Sequence, residues 1–160
     1  MKYNFDEYIE LLNYQEALKK DNKSLRTQDP VKDSKLRKYA VILTDHLHWS
    51  QKNQYLQLIK DFLNCKIDAQ KFDSEFSIMV EEIEKNYRLL SKNYEELKRI
   101  EPSSISLGFG TWISEIYLYC NEFYSDFNEE EERADIPFAK TEAQLRDAVK
   151  SLVPEIQKYF

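Results

Sequence analysis

"AQKFDSEFSIMVEEIEKNYRLLSK", Ala69 to Lys92, carries the strongest periodic signal in the chain. Its apolar stripe is Phe72, Phe76, Met79, Val80, Ile83, Tyr87 and Leu90, at three- and four-residue steps. At 3.6 residues per turn these positions fall on one face, so the stretch predicts an amphipathic helix of about six turns. Asp68 stands immediately before it. An aspartate there accepts a hydrogen bond from an otherwise unsatisfied first-turn amide, so it is read as the N-cap. The carboxylate pair Glu81/Glu82 lies off the apolar stripe and reads as a solvated face.

The same pattern extends in both directions. Upstream, Tyr55, Leu56, Ile59, Phe62 and Leu63 form a stripe in a helix expected to stop near Asn64, with Ser50 as its N-cap. Phe5, Tyr8, Ile9, Leu12 and Leu18 predict a helix from about Asn4 to Lys20. The polar stretch Asp21 to Lys35 contains Asp29-Pro30 and reads as a loop, and Tyr39 to Leu43 as a short helix. Downstream, Glu101-Pro102-Ser103-Ser104 is a break. The "SLGFGTW" stretch, Ser106 to Trp112, then starts a helix capped by Thr111 and apolar on more than one face through Phe123. Thr141 and Gln144 have capping-box spacing and open a last helix with Leu145, Ala148, Val149 and Leu152. Pro154 either kinks it or begins a final turn.

Composition agrees with an all-α reading. Gly is 2 and Pro is 4, too few for the tight turns of a β-sandwich or barrel. Hydrophobic residues make up 42% and aromatics 14%, enough for a core without staples. Cys65 and Cys120 read as reduced thiols packed as small apolar groups. No apolar run reaches the ~18 residues of a membrane span. The amphipathic, acidic "MKYNFDEYIE" differs from a signal peptide, so a soluble cytoplasmic protein is expected.

The charge is unevenly placed. Residues 1–100 hold 18 Lys+Arg against 17 Asp+Glu, while residues 101–160 hold 5 against 12. The acid concentrates in "NEFYSDFNEEEERADIPF", Asn121 to Phe138, interleaved with Phe123, Tyr124, Phe127 and Phe138. Phosphate contacts need bases, so direct nucleic-acid binding there is disfavoured and a basic partner is favoured. An EF-hand loop needs a central glycine, which this stretch lacks. The aromatics need partial burial, which would hold Glu122 and Asp126 near the domain body.

A catalytic inventory is missing. Two glycines cannot build a phosphate loop. His46 and His48 are the only histidines, and on a helix they point about 200° apart, which does not suit a shared metal. There is no Glu-x-x-His pattern, and Cys65 has no neighbouring histidine. No catalytic residue, metal or cofactor is therefore assigned.

Three stretches carry a family resemblance. "FLNCKIDAQKFDSEF", Phe62 to Phe76, resembles the opening helix-turn-helix of the colicin D immunity protein family, in the frame Phe62-Leu63, Lys66-Ile67, Ala69, Phe72 and Glu75. "EIYLYCNEFYSDFNEEEERADIPF" resembles that family's third helix and acid-rich connection, and "TEAQLRDAVKSLVPEIQKY" its closing helix. Phe123 and Asp126 match the family pattern, whereas Asn121 and Tyr124 stand where it has acids. The likeness spans roughly residues 55–160. It implies an antiparallel four-helix bundle over residues 50–160; residues 1–49, which have no counterpart in the likeness, are expected to form an additional N-terminal helical segment. It also implies an immunity protein that inhibits a cognate tRNA-cleaving ribonuclease toxin by presenting an RNA-mimicking acidic surface. The expected contacts are Glu122, Tyr124, Asp126, Glu129, Glu130, Glu131 and Asp135. The rival reading is a helical adaptor or structural protein that uses the same acidic face on another basic partner.

Overall fold

The computed structural model describes residues 2–127 and 135–159. The helices there are α1 (Phe5–Lys20), α2 (Leu25–Gln28), α3 (Pro30–Ser50), α4 (Lys52–Leu63), α5 (Ala69–Leu90), α6 (Tyr94–Leu97), α7 (Phe109–Asn121) and α8 (Glu142–Gln157), with a 3₁₀ turn at Ser104–Ser106. Among the described residues there is no strand, only an isolated parallel bridge between Phe123 and Lys140. The protein is an all-helical bundle.

α5 organises it. Asp68 caps it as its sequence predicts, accepting the amide of Lys71 at 2.8 Å. Its 22 residues give a length of about 33 Å, enough to serve two clusters. Phe72, Phe76 and Val80 join α4, α7 and α8 in the larger one, while Leu90 joins α1, α2, α3 and α6 in the smaller. In the larger cluster Phe62 stacks on Phe72 with centroids 4.2 Å apart, and Tyr55 and Phe76 complete the aromatic wall. Each of these rings is fully buried, and each stabilises the fold by roughly 1.5–3 kcal/mol through lost apolar hydration. In the smaller cluster the rings are tyrosines, Tyr8 and Tyr39, and Tyr8 shares a 3.1 Å hydrogen bond with Tyr87.

Several boundaries differ from their sequence reading. Asp29-Pro30 starts a helix instead of breaking the chain. Asp29 accepts the amide of Lys32 at 3.0 Å, and Pro30 occupies the first turn, where a missing amide hydrogen costs nothing. The short helix expected at Tyr39 is thus the middle of a 21-residue one. Ser50 closes α3 by donating to the Leu47 carbonyl at 2.6 Å, and Gln51, without a side-chain cap bond, precedes α4. Thr111 lies inside α7, whose N-cap is Gly108. The Thr141/Gln144 capping box is present. α8 runs through Pro154, which is exposed, as is Lys150, so water can serve the carbonyl that loses its helical donor there. Cys120 is buried, but Cys65 is exposed in a left-handed turn after α4, at φ 57°.

α7 positions everything that follows. It packs against α3, α5 and α8. Ile113, Ile116 and Cys120 face the larger cluster, while Leu118 on its outer face is 49% exposed.

Candidate functional site

The acidic stretch begins where α7 ends. Glu122 donates its amide to the carbonyls of Leu118 and Tyr119, and Phe123 donates to Cys120 at 3.0 Å, closing the last turn. The chain then meets its own return. The amide of Lys140 donates to the Glu122 carbonyl at 2.6 Å, and the amide of Tyr124 donates to the Lys140 carbonyl at 3.3 Å. These two bonds clamp the ends of the acidic connection together. On one side Phe123 packs on the larger cluster; on the other Ala139 is buried at 1% exposure. The clamp is therefore seated on the core.

Side chains reinforce it. The Lys140 ammonium lies 3.1 Å from a Glu122 carboxylate oxygen, both side chains being about one-quarter exposed (25% and 24%). It also sits 5.3 Å from the centre of the Tyr119 ring. Burial, a hydrogen bond to Glu115 and the nearby Glu122 charge all push the Tyr119 hydroxyl above its ordinary range.

The predicted contacts separate into three groups. Glu122 is engaged by Lys140. Asp126 and Asp135 are exposed, one on each leg of the connection, and Tyr124 beside Asp126 is 47% exposed, against the partial burial its aromatic character suggests. Phe123 and Phe127 are the half-buried aromatics. Glu129, Glu130 and Glu131 lie outside the described residues. Two residues absent from the predicted set belong to the site. One is Lys140, the clamp. The other is Phe138, which is 75% exposed next to the buried Ala139.

A second polar cluster lies at the other end of α7. Asp45, on α3 and 4% exposed, accepts the Gly108 amide at 2.7 Å and the Gly110 amide at 3.0 Å. Its two oxygens thus satisfy two amides at the start of α7, where a helix has no partners of its own. Burial raises the Asp45 pKa, and the two amide bonds oppose that rise. One turn on, His48 is buried and its Nδ1 shares a 3.0 Å hydrogen bond with the Tyr55 hydroxyl. Burial pushes its pKa down to about 4. His46 is half-buried on the same helix, and the two histidines share no metal-binding group among the described residues.

Two buried nucleophiles are suppressed or engaged. Burial pushes the Cys120 thiol up to about 12, so it stays protonated. The buried Ser106 hydroxyl donates to the Ser103 carbonyl at 2.7 Å. The carboxylate pairs Glu81/Glu82 and Glu95/Glu96 are exposed. No helix among the described residues is long and apolar enough to cross a membrane.

Fold and site define a helical bundle carrying a clamped acidic connection flanked by exposed aromatics. No protein-family model, no curated protein and no solved structure matches the chain.

Proposed function

We propose that the chain is a binding protein of the immunity type, which inhibits a cognate ribonuclease toxin by placing its acidic connection in the toxin's basic active-site cleft. The observation that carries this reading is the clamp. Asp126 and Asp135, with Tyr124 and Phe138 beside them, stand exposed on a connection whose ends are tied to each other and to the core. A ribonuclease must hold phosphates with Lys and Arg, and carboxylates on a held connection compete for those same groups. Pre-organisation lowers the ordering cost of docking, and the net charge of −6 speeds the encounter with a cationic partner. Tyr124 and Phe138 supply the apolar contact that charge alone lacks, as aromatic residues do at the centres of interfaces.

The test is co-purification with the nuclease domain encoded by the neighbouring gene. A one-to-one complex in gel filtration that blocks tRNA cleavage is the expected result. Reversing Asp126 and Asp135 to lysine together is expected to weaken binding at least tenfold, mainly through slower association. Absence of a complex at low salt overturns the nuclease assignment. Unchanged affinity in the double variant removes these two residues from the interface.

A further inference from the structure

We propose that the chain also associates head to tail with a second copy of itself, the acidic end of α7 on one copy seating in a basic cleft at the start of α7 on the next. The cleft, of about 660 Å³, lies between α2, α3 and the α7 N-terminus. Arg26, Arg37 and Lys38 line it, together with Val41, which is 56% exposed, and Leu107, which is 40% exposed. Arg37 is paired at 2.9 Å with Asp33, which also lines the cleft. Arg26 and Lys38 are exposed and have no ion-pair partner among the described residues. Asp45 also borders the cleft, its carboxylate bonded to the Gly108 and Gly110 amides, so the lining holds three cations against two carboxylates. The cleft thus combines unpaired cations with exposed aliphatic surface.

The opposite pole of the molecule has the complementary chemistry. Asp126 and Asp135 provide the carboxylates, and Phe138, 75% exposed, provides an apolar group of a size to meet Val41 and Leu107. The 13 residues of α7 separate the poles by about 20 Å. The Debye length is about 8 Å at physiological salt, so the poles cannot neutralise one another within one molecule. They can do so between molecules. The macrodipole of α7 has the same polarity, positive at Gly108 and negative at Asn121, and favours an anion at the first end and a cation at the second. The contact joins two different surfaces, so copies add end to end instead of pairing symmetrically. It uses the surface assigned above to the nuclease, so a bound nuclease excludes it. It does not depend on that partner being correct.

Analytical ultracentrifugation of the full chain tests this. At about 50 mM salt the weight-average mass is expected to rise with concentration above the monomer mass of 19.2 kDa, and to return towards it at about 300 mM. Two double variants at exposed positions, Arg26→Glu/Lys38→Glu and Asp126→Lys/Asp135→Lys, are each expected to weaken self-association by roughly tenfold or more. Mixed together, they are expected to associate again, because the first retains a native acidic end and the second a native cleft. Circular dichroism confirms that each variant is folded. A chain that stays at 19.2 kDa at every concentration in low salt overturns the proposal. So do variants that associate like the parent, or a mixture that remains monomeric while the parent associates. A monomeric chain that still binds the nuclease overturns this contact alone. A self-associating chain that ignores the nuclease overturns only the function proposed above.

Discussion

The two ends of α7 face the same physical problem and solve it differently. Every helix leaves unpaired amides at its start and unpaired carbonyls at its finish. At the start, the solution is buried and distant in sequence: Asp45 reaches across from α3 to take two amides, at 4% exposure. Gly108 sits there at φ 85°, a left-handed conformation that side chains resist, and Gly110 leaves room for the carboxylate. At the finish, the final turn closes locally and the returning chain clamps beside it by backbone bonds, leaving Tyr124, Asp126 and Phe138 facing outward. The first arrangement contributes stability and one unique docking of α7 on α3. The second leaves side chains free for other molecules.

The largest expected effect falls at the buried end. Asp45→Ala leaves two amides without their acceptors, at a cost of roughly 2–3 kcal/mol after allowing for relief of the buried charge. Asp45→Asn separates charge from acceptor. Its single amide oxygen serves one N–H while its own NH₂ faces the other, so the loss is expected to be intermediate. Gly110→Ala approaches the same point from the other side, because the added methyl would lie 2.6 Å from Asp45 Oδ1 and 3.3 Å from His48 Cδ2. Urea denaturation measures all three. A loss below about 1 kcal/mol for Asp45→Ala would show that the buried end is not the anchor.

Next in size is a pH effect confined to the same end. The folded pKa of His48 is about 4, below its ordinary value of 6.5, because burial disfavours the imidazolium. A depressed folded pKa means that the unfolded chain binds the proton first. The stability from His48 is therefore fully present above pH 6.5 and is lost as pH falls towards 4. By pH 5 the loss is roughly 2 kcal/mol. Asp45 acts in the opposite sense. Its raised pKa makes the folded chain take up a proton earlier on acidification, which offsets part of the slope. His48→Gln keeps a group able to hydrogen-bond Tyr55 and removes the titration. Denaturation at pH 7 and pH 5 is expected to show the parent weakening relative to the variant. An identical pH dependence in both would remove His48 as the source.

The contrast also explains what the sequence made legible. α5 and the start of α8 were readable because their signals are local: an apolar stripe with Asp68 before it, and Thr141 with Gln144 three residues on. α3 is longer than its local sequence suggests, since Asp29-Pro30 resembles a break unless the first-turn position of the proline is known. Its pattern is also blurred by the buried polar residues Asp45 and His48 among its apolar ones. The role of Asp45 left no trace, because its partners Gly108 and Gly110 lie more than sixty residues away. At the other end, the concentration of acid was visible from composition. The pairing of Glu122 with Lys140, and the exposure of Tyr124 and Phe138, depend on how the chain returns, and nothing in their local spacing encodes that.

The smallest effect on stability, and the sharpest test of the exposed end, comes from Lys140. The two clamp bonds of this residue are made by its backbone, so Lys140→Met leaves both in place and removes only the ammonium. An ion pair about one-quarter exposed on each side is worth less than about 1 kcal/mol, and the methionine retains much of the packing beside Tyr119. For a basic partner the consequence is larger and of opposite sign. Freed from Lys140, Glu122 joins Asp126 and Asp135 as an available carboxylate, so affinity is expected to rise severalfold and to become more sensitive to salt. Glu122→Gln reverses the logic: it strands the Lys140 cation among the acids, and affinity should fall. Titration calorimetry of both variants against the same basic partner at two salt concentrations resolves the pair. If both variants bind like the parent, Glu122 and Lys140 serve only to hold the connection, and the binding surface begins beyond Phe123.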